Sequence, residues 1–414
     1  MLRNYVKVAF KVFLRRRFFT LISLFGISFT LLVLMVATAI LDHAFAPFPP
    51  EVHQDRTVGV FNAEMSGPHN RLSGNAGYRL FDQYARDLPG AERLSVFSDM
   101  RTVYSYPNGQ KIKSYLKATD AEFWKILEFH FLEGGPYGEQ DVAEARFVAV
   151  VNQTTREKFF GGAPAVGRTI EADGQSFRVI GVVPDVPILR QVPFADIWVP
   201  HTTAKSDDYR RQMMGSFVAV VLARSRDAIP GIQAEFRSRL KHWEAPDPKE
   251  YSKMVAPLET PFESIARMIF GRRDEEVSHP ERLWAALGIL ATLFMLLPAI
   301  NLVNLNVSRI LERASEIGVR KAFGASSRTL VGQFVVENVL LTLVGGAVGL
   351  VLSVLALDAL TASGLIQYAR FHLNVRIFLY GLGLALVFGV VSGVYPAWRM
   401  SRLNPVEALR GGPR

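Results

Sequence analysis

The chain is 414 residues long and 49% apolar, but the apolar residues are gathered into long blocks, which excludes a string of ordinary soluble domains. Of the formal charge of +9, Met1 to Arg17 carry +6 and residues 306–329 and 396–414 carry +3 each, so the remainder is net negative. That distribution speaks for membrane orientation and contact with anionic lipid headgroups, and against a nucleic-acid surface. The chain has no cysteine, which excludes disulfides and thiolate metal sites.

Arg3, Lys7, Lys11 and Arg15 recur every four positions, while Val6, Phe10 and Phe13 fall on another side. Residues 1–17 therefore read as an amphipathic helix at a cytoplasmic membrane surface, or as a tail that only sets orientation. Residues 18–41 come next without a charge, a first span longer than a signal-peptide core. Cations on its N-terminal side keep the tail inside and send the segment beyond the span outside.

Residues 42–281 have the mixed composition of a soluble domain. Arg146 to Val151 reads as a buried strand, and Asn152 or Thr154 as the cap of a helix through Phe160 that ends at Gly161-Gly162. Thr169 to Ala172 and Ser176 to Val183 flank Asp173-Gly174, a hairpin signal, and Pro184 and Pro187 close the second strand. Ile197 to Pro200 and Phe217 to Ala223 read as further strands, Gly231 to Trp243 and Ser264 to Phe270 as helices, and Glu244 to Pro261 as an irregular connection.

Residues 283–305 form a second span, with Pro298 where a kinked helix gives either a hinge or an ordinary tolerated bend. Residues 330–360 are too long for one perpendicular span, so their start is expected to extend from the cytoplasmic face and to place Glu337 near the interface. Gly345, Gly349 and Ser353 are spaced by four, as are Ala385, Gly389 and Gly393 in a last span, 377–395. Small residues at that spacing let helix backbones approach, within the bundle or against a second copy. Residues 361–376 are a short outer loop, and 396–414 return to the cytoplasm. The expected fold is an α-helical four-span bundle with a large α+β extracytoplasmic domain between spans 1 and 2.

Between the second and third spans lie residues 306–329, with Arg309, Arg313, Arg320, Lys321 and Arg328. Their cations place the segment in the cytoplasm, and its helix formers, its lack of proline and Gly324 near its end predict a short surface helix. On composition alone it is equally a solvated orienting loop. The run Glu316, Ile317, Gly318, Val319, Arg320, Lys321, Ala322, Phe323, Gly324, Ala325, followed by Gln333, Phe334 and Glu337, resembles the EIGxRKAxGA…QFxxE signature of MacB/FtsX-type ABC transporter permeases. Tyr395 to Arg399 and Asn404 to Arg410 resemble that family's ending, and residues 146–200 resemble its periplasmic core domain. The resemblance is weakest over residues 43–140 and 205–280, where substrate or partner preference is expected to lie.

The resemblance implies a permease subunit of the bacterial inner membrane. Residues 316–325 would be a coupling helix that docks on a P-loop ABC ATPase, with ATP and Mg on that partner and no cofactor in this chain. A second permease subunit, a periplasmic adaptor and an outer-membrane channel are the further partners it implies. ATP-driven motion of the outer domains would export or extract a drug, peptide or lipid-linked substrate. Two alternatives stay open: an FtsX-like regulator of a cell-wall hydrolase, and a peptide sensor or detoxification permease. The sequence holds no G-x-x-x-x-G-K-[ST] loop, G-x-S-x-G elbow or H-E-x-x-H helix, and its eight histidines lack ligand spacing. Turn capping accounts for Asp99, Asp120 and Asp185.

Overall fold

The computed structural model describes residues 2–15, 17–245, 247–271, 277–312, 319 and 326–401. Helices α1 (Leu2–Arg15) and α2 (Arg17–Phe45) open the chain. Strands β1 (Thr57–Val60), β2 (Ala63–Ser66) and β3 (Arg71–Ala76) lead to α3 (Tyr78–Tyr84). Then come β4 (Ala91–Ser98), β5 (Arg101–Ser105), β6 (Ile112–Thr119), α4 (Phe123–Ile126), β7 (Glu133–Gly134) and α5 (Glu139–Ala143). Next are β8 (Val148–Asn152), α6 (Gln153–Phe160), β9 (Thr169–Ala172), β10 (Gln175–Val183) and β11 (Ile197–Pro200). The domain ends with β12 (Met214–Gly215), β13 (Phe217–Ala223), α7 (Ile229–Leu240), β14 (Lys253–Val255) and α8 (Pro261–Phe270). Long helices α9 (Pro280–Glu312), α10 (Ser327–Ala362) and α11 (Val375–Ser401) complete the described chain.

The chain divides into two units: residues 1–43, 285–365 and 370–414 in one, and 44–284 with 366–369 in the other. The second unit carries two sheets, the first antiparallel throughout and the second mixed. In one, β13 pairs antiparallel with β1 and β4, and the ladder extends through β3 and β2 to β14. In the other, β8 runs parallel to β10 and β6 parallel to β11, while β11 and β8 are antiparallel. Strand periodicity distributes the cores. Ala219 and Val221 of β13 face a cluster with Leu80 and Phe81 of α3 and Ile232 and Phe236 of α7. Val218, Val220 and Leu222 face the other way, onto Trp198, Val148 and Val150 of the second sheet. Ala149 and Val151 then look into a third cluster with Ile170, Phe177 and Val199. Every residue of β13 is buried, which accounts for its unbroken apolar run.

Local signals set several boundaries. Asn152 caps α6 by accepting from the Thr155 N–H at 2.8 Å, and Gly161 ends it at φ +62°. Asp173 and Gly174 turn at φ +56° and +70° between β9 and β10. Arg146 is not in a strand: its guanidinium pairs with Asp141 and Glu144, and β8 starts at Val148. The expected irregular stretch 244–261 contains β14, held to β2 from Lys253 to Val255. Helix α7 starts at Ile229, with Pro230 in its first turn, and ends at Leu240, three residues short of Trp243.

In the first unit, α2 and the part of α10 from Val331 to Ala362 are long and apolar enough to cross a membrane, and Val375–Val391 of α11 is a shorter apolar stretch. Helix α1 does not present its whole apolar face outward. Ala9 and Phe13 are buried with Ile27, Leu31 and Met35 of α2, Leu341 of α10 and Phe378 of α11, whereas Phe10 is exposed. The phase of the helix decides this, because Phe13 lies one turn from Ala9 while Phe10 is rotated away.

Candidate functional site

Of the expected coupling helix, Glu316, Ile317, Gly318, Arg320, Lys321, Ala322, Phe323, Gly324 and Ala325 lie outside the described residues. Val319 is helical and exposed. Directly after the segment, the Ser326 hydroxyl accepts from the Thr329 N–H at 3.2 Å and caps α10, which starts at Ser327, three residues before Leu330. Pro298 lies within α9, which runs on through it to Glu312.

The small residues of α10 sit against α2. A Cβ added at Gly345 would lie 2.9 Å from Cγ2 of Ile27, and one at Gly349 would lie 3.2 Å from the Ser28 Cα. Ser353 is fully buried and donates to the Gly349 carbonyl at 2.7 Å. Across to α11, a Cβ at Gly389 would lie 2.8 Å from Thr342 Oγ1, and the Asn338 amide donates to the Gly389 carbonyl at 3.3 Å. Ala385 is half-buried on α11, and Gly393 falls within the same helix. Glu337 is buried within α10.

A buried polar construction lies in the second unit, on the loop 184–196 that joins β10 to β11. Arg190, with its side chain out of contact with water, donates from Nη1 to Glu51 Oε2 at 2.9 Å and to the Phe48 carbonyl at 3.3 Å. Its Nη2 donates to the Ala46 carbonyl, and its guanidinium carbon stands 3.4 Å from the centre of the Phe48 ring. These partners are the residues just beyond α2. Burial raises the Glu51 pKa, and the Arg190 charge opposes that shift.

The same loop holds a second segment. The Ile188 N–H donates to the Gln367 carbonyl at 3.1 Å, and the Tyr368 hydroxyl donates to Asp196 Oδ1 at 2.7 Å. Asp196 also accepts from the Tyr115 N–H at 2.8 Å and from the Asn152 amide at 3.0 Å. Burial, then the Asp196 carboxylate, pushes the Tyr368 phenol up, so it stays a donor. A third anchor comes from β6. The wholly buried Lys117 donates to the Gln191 and Val192 carbonyls at 2.7 and 2.6 Å. Burial pulls its pKa down to about 7, against the pull of Asp99 and Glu51.

None of Arg190, Lys117, Asp196, Glu51 or Tyr368 stood out in the sequence. One signal was present: Arg190 is a lone charge in the apolar run Val186 to Ala195, which asks for a buried partner. Turn capping accounts for only part of what Asp120, Asp185 and Asp99 do: the Phe123 and Met100 N–H contacts are local, whereas Ser95, Val96, Thr154 and Asn75 lie 24 to 31 residues from the carboxylates they bind. Asp120 accepts from Ser95, Val96 and Phe123, Asp185 from Thr154, and Asp99 from Met100 and Asn75. Among the described residues no group of three His, Asp or Glu could hold a metal ion, and His130 is exposed.

Two family models match the chain: a MacB-like periplasmic core domain over residues 20–239 and an FtsX-like permease C-terminal region over 288–405. The macrolide export ATP-binding/permease protein MacB of Burkholderia lata is 27% identical over 304 residues, 72% of this chain and 41% of that protein. The pyoverdine export ATP-binding/permease protein PvdT of Pseudomonas syringae pv. tomato is 30% identical over 303 residues, 72% of this chain and 42% of that protein. The chain thus spans about two fifths of the length of these curated relatives. Among solved structures, the periplasmic region of MacB from Actinobacillus actinomycetemcomitans covers 52% of this chain and 94% of its own, with a TM-score of 0.36 and 15% identity.

Proposed function

The chain belongs to the family of ABC transporter permeases that combine a MacB-like periplasmic core domain with an FtsX-like permease domain, and from that premise we propose that it transmits work done by a separate ATPase to its outer domain. Helices α2, α9, α10 and α11 are its four crossings of the inner membrane, with both termini in the cytoplasm and residues 44–284 in the periplasm. The segment Glu316 to Ala325 docks on a P-loop ATPase, which holds the ATP and Mg. Two permease subunits pair, and nucleotide-driven closure of their ATPases draws these segments together. The movement passes along the long helices into the periplasmic domains, where a drug, peptide or lipid-linked substrate is pushed onward to an adaptor and an outer-membrane channel.

The observation that carries this reading is the order of parts: an apolar helix, a mixed α/β domain, then the long helices α9, α10 and α11, with five cations in the sequence between residues 306 and 329. No phosphate-binding loop is present to hold nucleotide. A route through the bilayer for a polar cargo would need a polar lining. Buried Ser353 and Asn338 instead bond to helix carbonyls, of Gly349 and Gly389.

The test is a pull-down of the full chain from membranes in mild detergent, beside a variant carrying Glu316→Ala, Arg320→Ala and Lys321→Ala. The expected result is a P-loop ATPase held by the wild type and lost from the variant. Absence of any ATPase, or equal retention by both, contradicts the docking role. A cell-wall hydrolase in place of an adaptor among the co-purified proteins would mean that the motion regulates an enzyme rather than moves cargo.

A further inference from the structure

We infer that the loop 184–196, through Arg190 and Asp196, is the fastening point at which displacement of the helices enters the periplasmic sheet. This rests on the reading of the chain as a permease driven by an ATPase.

Two stretches that are continuous in the chain with long helices end on this loop. Residues 46–51 leave α2 at Phe45, and Arg190 holds them by the Ala46 and Phe48 carbonyls, the Glu51 carboxylate and the Phe48 ring. Residues 366–369 stand between α10 and α11, and Ile188 and Asp196 hold them by the Gln367 carbonyl and the Tyr368 hydroxyl. A planar guanidinium gripped at four places has no rotamer freedom left, so a shift of residues 46–51 carries Arg190 with it. A loop is ordinarily solvated and compliant. This one is buried over Arg190 and over Val192 to Asp196 and is tied to β6 by Lys117. Asp196 lies immediately before β11 and binds the Tyr115 N–H of β6 and the Asn152 amide at the end of β8, so a pull on Tyr368 reaches three strands at one carboxylate.

Burying Arg190, Glu51 and Lys117 together is costly, and apolar residues of similar volume would stabilise the domain at least as well. The ionic solution fixes directions, which apolar contacts do not. Arg190 and Tyr368 are accordingly positioning residues for transmission rather than parts of a substrate site.

The experiment is hydrogen–deuterium exchange on the full chain with its co-purified ATPase in lipid nanodiscs, with and without ATP. The expected result is that peptides covering 46–51, 184–196 and 366–369 change together on adding ATP. In Tyr368→Phe, the change at 184–196 falls about threefold while ATP hydrolysis persists. Because the chain has no cysteine, Ile188→Cys with Gln367→Cys adds one disulfide at a backbone-bonded pair. Its oxidation is expected to restore transmission to Tyr368→Phe, and its reduction to abolish the rescue, which separates a mechanical role from a folding defect. If ATP alters exchange at 46–51 and 366–369 but not at 184–196, or if Tyr368→Phe transmits as wild type does, the fastening role is wrong and the transporter reading stands. If ATP alters exchange nowhere in the chain, or no ATPase accompanies it, the transporter reading fails and takes this inference with it.

Discussion

Arg190 and Glu51 meet at 2.9 Å across 139 residues of sequence, with the arginine side chain wholly out of water and the carboxylate nearly so. Each charge is held where water cannot solvate it, so removing one member strands the other. Arg190→Met is expected to destabilise the full chain in detergent by about 3–5 kcal/mol. Adding Glu51→Leu should recover part of that loss, since the orphaned carboxylate is gone. Thermal unfolding of the two variants beside wild type measures this; a double variant no more stable than Arg190→Met would show that the pair is not coupled.

His201 makes the domain sensitive to acid. Burial, with Arg210 and Arg86 nearby, holds its imidazole down at about 4 from an ordinary 6.5. An unfolded chain gains a proton at this residue as pH falls from 6.5, while the folded chain does not until about 4. The stability it contributes is present above the unfolded value and is lost across that window, roughly 3 kcal/mol in all. Asp120 works the other way, because burial raises it to about 6 from 3.8, so its contribution is lost as pH rises. The comparison that isolates His201 is the difference between wild type and His201→Gln at pH 7 and at pH 4.5. Wild type should lose its advantage at the lower pH; a constant difference would contradict the account.

The contact of α10 with α2 is set by backbone, which cannot yield as a side chain can. A Cβ at Gly349 would stand 3.2 Å from the Ser28 Cα and 3.3 Å from its carbonyl oxygen, whereas one at Gly383 meets nothing within 4 Å. Gly349→Leu is expected to lower stability by about 1–3 kcal/mol and Gly383→Leu to leave it nearly unchanged. Thermal melts of both in the same detergent give the comparison, and equal effects would remove the packing argument.

The β9–β10 turn separates backbone from charge. Gly174 at φ +70° is in left-handed territory, so Gly174→Ala should cost about 1–2 kcal/mol. Asp173 pairs with Arg101 at 2.6 Å and Lys205 at 3.3 Å, all three partly solvated. Asp173→Asn keeps a residue that tolerates the turn and should cost less than about 1 kcal/mol. Urea titration of both variants would contradict this ordering if Asp173→Asn were the worse.

How much of the molecule was legible in the sequence depends on the range of the physics involved. The α6 helix, its Asn152 cap, its Gly161 stop and the Asp173-Gly174 turn were readable because each signal acts within about one helical turn or one hairpin of its target. The apolar run Phe217 to Ala223 announced a strand. It did not announce that β13 would be flanked by β1 and β4, because strand partners are chosen by tertiary packing. Residues 43–140 gave few local cues and hold most of the first sheet. The grip of Arg190 on Glu51 and of Asp196 on Tyr368, 172 residues away, joins segments that no periodicity relates. The proposed ATPase contact is the reverse case, since its motif is plain in the sequence and its residues, Val319 apart, lie outside those described.

The central claim is that nucleotide bound on the cytoplasmic side moves the outer domains. It is tested most directly by placing a spin label at Lys111→Cys, an exposed position beside the Pro107–Gly109 turn of this otherwise cysteine-free chain, and measuring the distance between the labels of paired subunits in nanodiscs by pulsed electron spin resonance. The account predicts a distance distribution that shifts when ATP is trapped with vanadate and returns when the nucleotide leaves. A distribution that stays fixed while the bound ATPase turns over ATP would contradict it.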